Sequence, residues 1–363
     1  MGKLELNVAL IGCGAVALQN HVPGLAQCPG VRLAALCDSD PVRLEAARRS
    51  TGAEIVSHRY EEIVSREDIH AVIIATPNVT HAPIAQAAIA HGKHVLCEKP
   101  LAMSACEAWA MADAAERAGI RHMTAFTYRF VPAMRYLAHL VRRGDLGRPY
   151  HFRACRLQDW GQRPLGWRQS QSLAGTGELG DMLSHRIDFG HLLFGAIRRL
   201  VGHGRRFMSV RGDQPNEVDE WVAVLADFRN DATGVWESTK LATGRNESWR
   251  SPDTVELNGS EATFVYDTRH WNHLWVGRAG ENDLKRIEVP REFWTWPGSP
   301  RDPHQGNPLL TFRYDQIWEF VQAIREQRPC AVTFEDGARV QEVIDAILRS
   351  FETHQWVELP DWA

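Results

Sequence analysis

One short segment, GELGDMLSHRID at 177–188, contains side chains whose types and spacing could support acid–base chemistry. Asp181, His185 and Asp188 are spaced i, i+4 and i+7, so they share one face if the segment is helical, while Ser184 and Arg186 point elsewhere. A carboxylate one turn from an imidazole can fix its tautomer and stabilise its protonated form. The segment is a candidate proton-transfer site, although a lone Asp–His pair on a helix is more often structural.

A second candidate site lies near the start of the chain, where a short apolar run ends in glycines. Asn7–Ile11 is predicted to be a buried strand, and Gly12-Cys13-Gly14-Ala15-Val16-Ala17 follows it directly. In a strand–GxGxxA–helix arrangement, Gly12 permits a tight turn, Gly14 lets a pyrophosphate approach the backbone, and Ala17 lets helix and strand pack closely. The free N–H groups at the helix start, around Ala15 and Val16, would bind the phosphates of a dinucleotide.

The next predicted strand, Val31–Cys37, ends in an acidic residue, Asp38. A carboxylate at this place accepts hydrogen bonds from the ribose hydroxyls of an adenosine, and it would repel a 2′-phosphate. No arginine follows directly, because the next residues are Ser39-Asp40-Pro41. The pattern favours NAD over NADP, and Asp40 is a better candidate than Asp38 for the cap of the following helix.

The elements that must position these groups alternate regularly through the first third of the chain. Two further apolar runs, Ala71–Ala75 and His94–Cys97, are predicted strands that end in Thr76-Pro77-Asn78 and Glu98-Lys99-Pro100. Helices are predicted at about 81–91 and 104–118, and one more short strand at 121–124. Repeated βα units predict a parallel, doubly wound sheet that binds ligands beyond the carboxyl ends of its strands.

The rest of the chain has a different composition, since twelve of the 13 tryptophans lie from Trp160 onwards. A strand predicted at 150–158 leads into a loop that contains Trp160, Trp167 and Arg168. Alternating segments predict hairpins at 220–242 and 253–267, and helices are predicted at 311–327 and 337–354. The stretch 277–308 is expected to be a long loop acting as a flap or subunit contact, and Arg198–Arg206 a solvated connection.

Taken together, these segments strongly resemble the glucose–fructose oxidoreductase / inositol dehydrogenase / rhizopine catabolism family, called Gfo/Idh/MocA. The resemblance covers nearly the whole chain. The EKP motif and the spaced Asp-His-Asp pattern are quite specific together, whereas the glycine motif alone is not. The matching segments are IGCGAVALQNH (11–21), ATPNVTH (75–81), CEKPLAMS (97–104), TYRF (127–130), Trp167-Arg168, GELGDMLSHRID (177–188) and VIDAILRSFETHQWV (343–357).

The resemblance implies an NAD-binding Rossmann domain at 1–127 with a parallel, doubly wound α/β sheet. An α+β domain with an open, mostly antiparallel sheet would follow at 128–363, for substrate binding and oligomerisation into a homodimer or homotetramer. NAD is expected as the cofactor and NADP is less favoured. The residues expected to contact the cofactor are Gly12, Gly14, Ala15, Val16, Asp38, Thr76, Pro77, Asn78, His81, Glu98, Lys99 and Arg129.

The family oxidises or reduces sugars, cyclitols and similar compounds, so a secondary alcohol of such a compound is the expected substrate. The family's lysine maps onto Lys99, its acid/base histidine onto His185, and its two aspartates onto Asp181 and Asp188. Oxidation requires removal of the hydroxyl proton while a hydride leaves the same carbon, so His185 can be the base and Lys99 can hold the reacting oxygen. The residues expected to bind substrate are Asp188, Trp167, Arg168, Arg156 and Trp160.

One position departs from the family pattern, because Leu183 replaces the glycine that is common two residues before the histidine. The larger side chain could change how the helix packs or narrow the pocket. Two other functions remain open within the same fold. One is an NAD-dependent glycosidase that acts by transient oxidation, and the other is a non-catalytic NAD-binding regulator, which the presence of Lys99 and His185 disfavours.

Composition and charge exclude several other classes. The chain has 41 Lys plus Arg against 45 Asp plus Glu, a formal charge of −4, which argues against a nucleic-acid partner. Its 7 cysteines form no C-x-x-C pair, so no structural metal site is expected. No apolar run approaches the roughly 20 residues that span a bilayer. A cytoplasmic protein without a membrane partner is expected.

Overall fold

The computed structural model describes residues 5–246 and 253–361, and the chain divides into two compact units. The first unit consists of Met1–Phe130 and Thr295–Arg339, and the second of Val131–Trp294 and Val340–Ala363. The first break therefore lies close to the predicted boundary after residue 127. The segment 295–339, which the sequence pattern places in the second domain, belongs to the first unit.

The strands and helices have the following bounds in chain order. The strands are β1 (Leu6–Ile11), β2 (Val31–Cys37), β3 (Ile55–Ser57), β4 (Ala71–Ile74), β5 (His94–Cys97), β6 (His122–Thr124), β7 (Pro149–Leu157), β8 (Ile197–Arg205), β9 (Val210–Arg211), β10 (Gln214–Pro215), β11 (Trp221–Phe228), β12 (Thr233–Thr239), β13 (Asp253–Gly259), β14 (Ala262–Asp267), β15 (His273–Arg278), β16 (Lys285–Glu288) and β17 (Val357–Glu358). The helices are α1 (Val22–Ala26), α2 (Pro41–Thr51), α3 (Tyr60–Val64), α4 (His81–Ala90), α5 (Ala105–Arg117), α6 (Pro132–Arg143), α7 (Gln171–Ala174), α8 (Ser184–Phe194), α9 (Pro308–Thr311), α10 (Arg313–Glu326) and α11 (Phe334–Thr353).

The first unit contains a parallel sheet with the strand order β3-β2-β1-β4-β5-β6. This is the order of a doubly wound dinucleotide-binding fold, so the predicted α/β class is confirmed. The direction of winding reverses between β1 and β4, and sheets of this kind bind their ligands at that reversal. All four residues of β4 are buried, as expected for a central strand covered by helices on both faces.

The core of the first unit includes residues from near the end of the chain. Phe334 and Ala338 of α11 are fully buried among Leu101, Met111 and the other apolar residues of the central strands and helices. Helix α10 packs closely on α1, because a Cβ added to Gly24 would lie 2.7 Å from Ile317. These contacts explain why the segment 295–339 belongs to the first unit.

The second unit is built on a mixed sheet with the strand order β16-β15-β14-β13-β7-β12-β11-β8-β17. Among the described strands of this sheet, β7 and β12 run parallel and the other neighbouring pairs run antiparallel. The predicted open, mostly antiparallel sheet is therefore confirmed, together with the hairpins β11–β12 and β13–β14.

Helix α8 is fixed to this sheet by a cluster of aromatic side chains. Trp236 on β12 is 1% exposed and packs against Phe152 and Phe228, with ring centroids 5.1 and 5.8 Å away. Its Nε1 donates a hydrogen bond of 2.8 Å to the backbone oxygen of Arg186 on α8. A Cβ at Gly190 would lie 2.8 Å from the Trp236 ring, so a glycine is needed for this close approach.

Two predictions for the second part of the chain are wrong. Arg198–Arg206 is not a solvated connection, because most of it is strand β8, whose Leu200 is fully buried. The stretch 277–308 is not a continuous loop, because it contains β16 and a 3₁₀ turn at Arg291–Phe293. Both segments contain adjacent charged residues, such as Arg198-Arg199 and Lys285-Arg286, which obscured the alternation. None of the described helices is long and apolar enough to cross a membrane.

Candidate active site

The glycine turn after β1 has the geometry that the motif predicts. Gly12 has φ = +94°, and a Cβ there would lie 2.4 Å from the backbone oxygen of Ala75, so no other residue fits. A Cβ at Gly14 would meet no protein atom within 4 Å. Ala15 and Val16 form the first helical turn, and Ala17 is fully buried against the sheet. The turn leaves room beside the helix start, as binding of a pyrophosphate requires.

Asp38 lies at the end of β2 and faces this turn. Its Oδ2 accepts a hydrogen bond of 2.8 Å from the backbone N–H of Cys13, and its Oδ1 accepts one of 2.9 Å from that of Asp40. The carboxylate is therefore held in one orientation at the place where a dinucleotide fold binds ribose hydroxyls. As predicted, Asp40 caps α2, accepting from the backbone N–H groups of Val42 and Arg43.

Arg43, which the sequence pattern did not indicate as a site residue, lies beside this carboxylate. The Nε of Arg43, on the first turn of α2, is 3.7 Å from Oδ1 of Asp38. Its side chain is 55% exposed. The prediction from sequence rested on Ser39-Asp40-Pro41, directly after Asp38, whereas the first turn of α2 brings Arg43 back towards the strand end.

The loops after β4 and β5 are joined by His81, which is fully buried. Its Nε2 lies 3.0 Å from the backbone oxygen of Thr76 and its Nδ1 lies 2.9 Å from that of Pro100. Burial lowers the pKa of His81. Pro77 and the buried Asn78 form the turn before α4. His81 therefore joins the loops after β4 and β5, which are both predicted to bind the cofactor.

Lys99 follows β5 and is half-buried, and its peptide bond to Pro100 is cis. Its backbone N–H donates a hydrogen bond of 3.3 Å to Oε2 of Glu98. The predicted cofactor residue Arg129 lies elsewhere in the same unit, where its guanidinium forms an ion pair of 3.0 Å with Asp336.

In the second unit, the predicted helix at 177–188 begins with a π-helical turn, Leu179–Leu183, which α8 continues. Asp181 lies in the π-turn, whereas His185 and Asp188 lie on α8 and are 4% and 1% exposed. Leu183 is fully buried at the end of the π-turn. π-Turns inside helices are frequent at functional sites, and this one separates Asp181 from the regular helix.

Asp219 fixes the start of this segment, because its Oδ1 and Oδ2 each accept a hydrogen bond of 2.8 Å from the backbone N–H groups of Gly177 and Leu179. The Oδ2 of Asp181 lies 3.0 Å from Nζ of Lys240, at the end of β12. Sequence reasoning missed Lys240 and Asp219, because both come from strand ends distant in sequence and neither lies in a recognisable motif.

The predicted substrate residues Trp160, Trp167 and Arg168 lie in the loop after β7. The guanidinium carbon of Arg168 lies 4.4 Å from the Trp167 ring centroid, and that of Arg163 lies 4.5 Å from the Trp160 centroid. The backbone N–H of Trp160 donates a hydrogen bond of 2.8 Å to the backbone oxygen of Lys240. The loop therefore brings Trp160 close to the residue that binds Asp181.

Two buried polar residues give this loop its shape. Gln169 accepts from the backbone N–H of Leu165 at 2.8 Å, and its amide nitrogen donates to the backbone oxygens of the β9–β10 hairpin. Arg211 is fully buried and donates to Glu220 and to the backbone oxygen of Gly161, both at 2.7 Å. These two buried side chains therefore fix the loop to the protein interior, although several of its residues are exposed.

Arg156, also predicted to bind substrate, lies in a different environment. It is 3% exposed, and its Nη1 donates a hydrogen bond of 2.7 Å to Oδ2 of Asp253, a carboxylate that Arg186 also contacts. Two arginines that share one buried aspartate satisfy its charge and join β7, β13 and α8.

Comparison with known proteins agrees with this architecture. Residues 6–126 match the model of an oxidoreductase family with an NAD-binding Rossmann fold, and residues 134–265 match the GFO/IDH/MocA C-terminal domain. The chain is 33% identical to levoglucosan dehydrogenase of Pseudarthrobacter phenanthrenivorans, over 98% of both chains. It is 36% identical to D-xylose 1-dehydrogenase (NADP(+)) 2 of Haloferax volcanii, over 96% of this chain and 98% of that one. A solved levoglucosan dehydrogenase in complex with NADH and levoglucosan has a TM-score of 0.89 at 32% identity, over 98% of this chain and 100% of that one.

The winding order of the first sheet, the glycine turn and the carboxylate at Asp38 define an NAD-binding oxidoreductase. The chain belongs to the Gfo/Idh/MocA family, because both domain models and a full-length relative match it. The resemblance predicted from the motifs is confirmed, as are the enzyme class and an NAD-binding first domain.

Proposed function

We propose that the protein is an NAD-dependent dehydrogenase that oxidises a secondary alcohol of a sugar, an anhydrosugar or a cyclitol. The observation that carries the proposal is the placement of His185, buried on α8, with Asp181 and Asp188 one turn before and after it. A relative with 33% identity over almost the entire chain is a levoglucosan dehydrogenase, which supports the substrate class.

The residues of the first unit fit a dinucleotide. The helix start after Gly14 would hold the pyrophosphate, and Asp38 would accept hydrogen bonds from the adenosine ribose. Bound NAD⁺ supplies the hydride acceptor, so the protein itself has to bind the alcohol, orient it and move one proton. Thr76, Asn78 and Glu98 lie in loops at the same strand ends and would complete the binding site.

His185 is the proposed general base, and it takes the proton from the hydroxyl group of the substrate. Lys99 is proposed to donate a hydrogen bond to the reacting oxygen and to stabilise the negative charge that develops there as the proton leaves. Asp181 and Asp188 would orient the imidazole or bind neighbouring hydroxyl groups. The assignment of Lys99 and His185 to one reaction rests on their place in the family motifs.

Trp160 and Trp167 are proposed to bind the apolar C–H face of the ring. Both are partly exposed in a loop that Gln169 and Arg211 hold rigidly, and each has an arginine stacked on its indole. A flat indole covers a sugar ring, while a neighbouring guanidinium can bind its hydroxyl groups. The exposure of the loop and its contact with Lys240 support this role.

The proposal is tested with purified protein, NAD⁺ and a panel of aldoses, anhydrosugars and inositols, with formation of NADH followed by absorbance. Turnover of at least one compound is expected, with NADP⁺ as the less effective cofactor. Absence of turnover on the whole panel with either cofactor would refute it. Two other outcomes point to the alternatives: sugar released from glycosides without net NADH indicates a glycosidase, and NAD binding without any reaction indicates a regulator.

The protein is further proposed to form a homodimer or homotetramer through the outer face of the second sheet. On β11, Val222 and Val224 point to the buried face, whereas the alternate residue Leu225 is 50% exposed. Light scattering coupled to size exclusion should give a dimer or tetramer, and Leu225→Arg should shift it towards the monomer. Leu310→Arg, at a leucine of the first unit that is 42% exposed, is the control. A monomeric wild type would overturn this assignment.

A further inference from the structure

A buried ammonium group contacts Asp181, the carboxylate four residues before the candidate base His185. Lys240 follows β12 and is 1% exposed, and its Nζ lies 3.0 Å from Oδ2 of Asp181 and 3.3 Å from Oε2 of Glu178. A lysine is almost never fully buried unless it is paired, because removing its charge from water is costly. The two carboxylates are therefore needed to keep this side chain inside the protein.

Lys240, Asp181 and Glu178 form a buried charged cluster, and their charge states follow from their surroundings. Burial alone would lower the pKa of Lys240, but the carboxylates of Asp181 and Glu178 more than offset this effect, and its pKa is raised. The side chain is therefore an ammonium ion at neutral pH. Burial raises the pKa of Glu178 to about 7, although Lys240 opposes the shift. Near neutral pH, Glu178 is partly protonated, so Asp181 is the main anionic partner of Lys240.

The remaining neighbours of the cluster come from three elements. Ser238 on β12 donates a hydrogen bond to Glu178, and Asp219, just before β11, lies near enough to contribute to the pKa values of both Glu178 and Lys240. The Trp160 ring lies 5.3 Å from Nζ of Lys240. The Lys240 ammonium thus lies near two carboxylates and an aromatic ring.

Other charged side chains lie on α8 and on the strands packed against it, and these side chains form ion pairs with one another. Arg156 on β7 and Arg186 on α8 both contact Asp253 on β13. Helix α6 presents the buried apolar residues Met134 and Leu137. Lys240 is therefore a buried cation that contacts the Asp181 carboxylate, one turn before His185.

We propose that Lys240 is a positioning residue for His185: its ammonium holds the Asp181 carboxylate in place and offsets the negative charge one helical turn before the imidazole. This inference rests on the proposed function, because it gives Lys240 a part in the proton transfer by His185. An aspartate without this counter-ion would stabilise the protonated imidazole more strongly, and a protonated His185 cannot accept the proton of the alcohol. Lys240 therefore keeps His185 a competent base at lower pH.

The test compares Lys240→Met with Lys240→Arg and with a matched control, Lys93→Met. Lys93 is also a buried lysine, 7% exposed, but its Nζ donates to the backbone oxygens of Arg66 and Ile69 in the first unit. Three quantities are measured for each variant: the pH dependence of kcat/KM, the Kd for NAD⁺, and the titration of His185 by carbon-13 NMR of labelled histidines. His185→Gln identifies the resonance.

Lys240→Met should lower kcat by about tenfold or more and move the acid limb of kcat/KM upward by at least about 0.5 pH unit. The pKa of His185 should rise with it, while the Kd for NAD⁺ changes less than about twofold. Lys240→Arg should restore most of the pH profile, and Lys93→Met should leave the profile and the His185 titration unchanged whatever its stability.

An unchanged His185 titration and acid limb in Lys240→Met would overturn the inference and leave Lys240 a purely structural residue. If that variant does not fold, as judged by circular dichroism, Lys240→Gln provides the same test with a neutral polar side chain. A wild type without turnover refutes the proposed function instead, and the NMR titration still decides whether Lys240 sets the pKa of His185.

Discussion

Nε2 of His21 lies 2.9 Å from Oε1 of Glu98, and this contact joins the helix after the glycine turn to the loop that contains Lys99. The His21 side chain is 2% exposed and that of Glu98 is 18% exposed. Burial would raise the pKa of Glu98, but the hydrogen bond from His21 and the nearby charge of Lys99 lower it overall. Glu98 is therefore a carboxylate that binds His21 with one oxygen and the backbone of Lys99 with the other.

We expect Glu98→Gln to destabilise the protein by about 1–3 kcal/mol at neutral pH, because it weakens charge-assisted hydrogen bonds in a mostly buried place. Since the folded-state pKa of Glu98 is depressed, its contribution is fully present above its ordinary value of 4.5 and is lost as the pH falls through the folded-state pKa. Urea unfolding at neutral and at acidic pH measures this difference.

The matched control for that comparison is Glu54→Gln, at a carboxylate whose side chain is 76% exposed and ion-paired with Arg32 on the surface. It should have little effect at either pH, since exposed ion pairs contribute little. A destabilisation by Glu98→Gln that stays constant down to acidic pH would show that its charge is not the cause.

Lys99→Ala and His185→Ala should each reduce kcat well over tenfold, since one removes the cation proposed to stabilise the reacting oxygen and the other removes the base. Steady-state kinetics on the best substrate of the panel measure the effect, and NAD⁺ binding should persist in both variants. Lys285→Ala, at a surface lysine paired with Glu281, is the control and should be neutral. Near-normal rates in both site variants would contradict the assignment.

Asp38→Ser should reduce the preference for NAD⁺ over NADP⁺ by about tenfold or more, because the carboxylate that repels a 2′-phosphate is lost. Arg43, whose Nε lies 3.7 Å from that carboxylate, would then be able to bind the phosphate. The ratio of kcat/KM for the two cofactors is the measurement. Asp40→Asn keeps the cap of α2 but weakens the 3.2 Å ion pair of Asp40 with Arg43, so it should change the ratio less than Asp38→Ser does. An equal change in both variants would point to a general disturbance of the loop.

Trp160→Leu should raise the KM for the sugar several-fold while the Kd for NAD⁺ stays unchanged, because the indole is proposed to bind the ring face. Its effect is compared with that of Trp356→Leu, at a tryptophan that is 46% exposed and stacks on Arg199 at the far edge of the sheet. A selective loss of substrate affinity in the first variant supports the assignment. Similar kinetics for both variants would place Trp160 among the structural tryptophans.

Much of the first unit could be predicted from sequence because its signals are local. The glycine turn, the carboxylate after β2 and the apolar runs of β1, β4 and β5 each lie within a few residues, and the parallel order follows from the βα alternation. In the second unit, helix α6 was not predicted, although Pro132 at its first turn and Gly144 after its end are ordinary boundary signals.

The candidate site was less predictable, because several of its contacts join residues far apart in sequence. Lys240 meets Asp181 through the end of β12, and Asp219 binds the start of the π-turn from the loop before β11. No spacing rule connects such pairs. A π-turn cannot be recognised from the apolar periodicity of a helix. The sequence therefore predicted Asp181 and His185 on one regular helix, whereas Asp181 lies in the π-turn.

The segment 295–339 belongs to the first unit, and this determines when that unit can finish folding during translation. The ribosome completes β1–β6 and α1–α5 long before it makes Phe334 and Ala338, which fill part of their core. The nucleotide-binding unit therefore cannot finish folding as it emerges, although its sheet is the first element made. Its last core residues arrive only after strands β7–β16 of the second unit have been translated, so a stop within 295–339 would damage the first unit as well as the second.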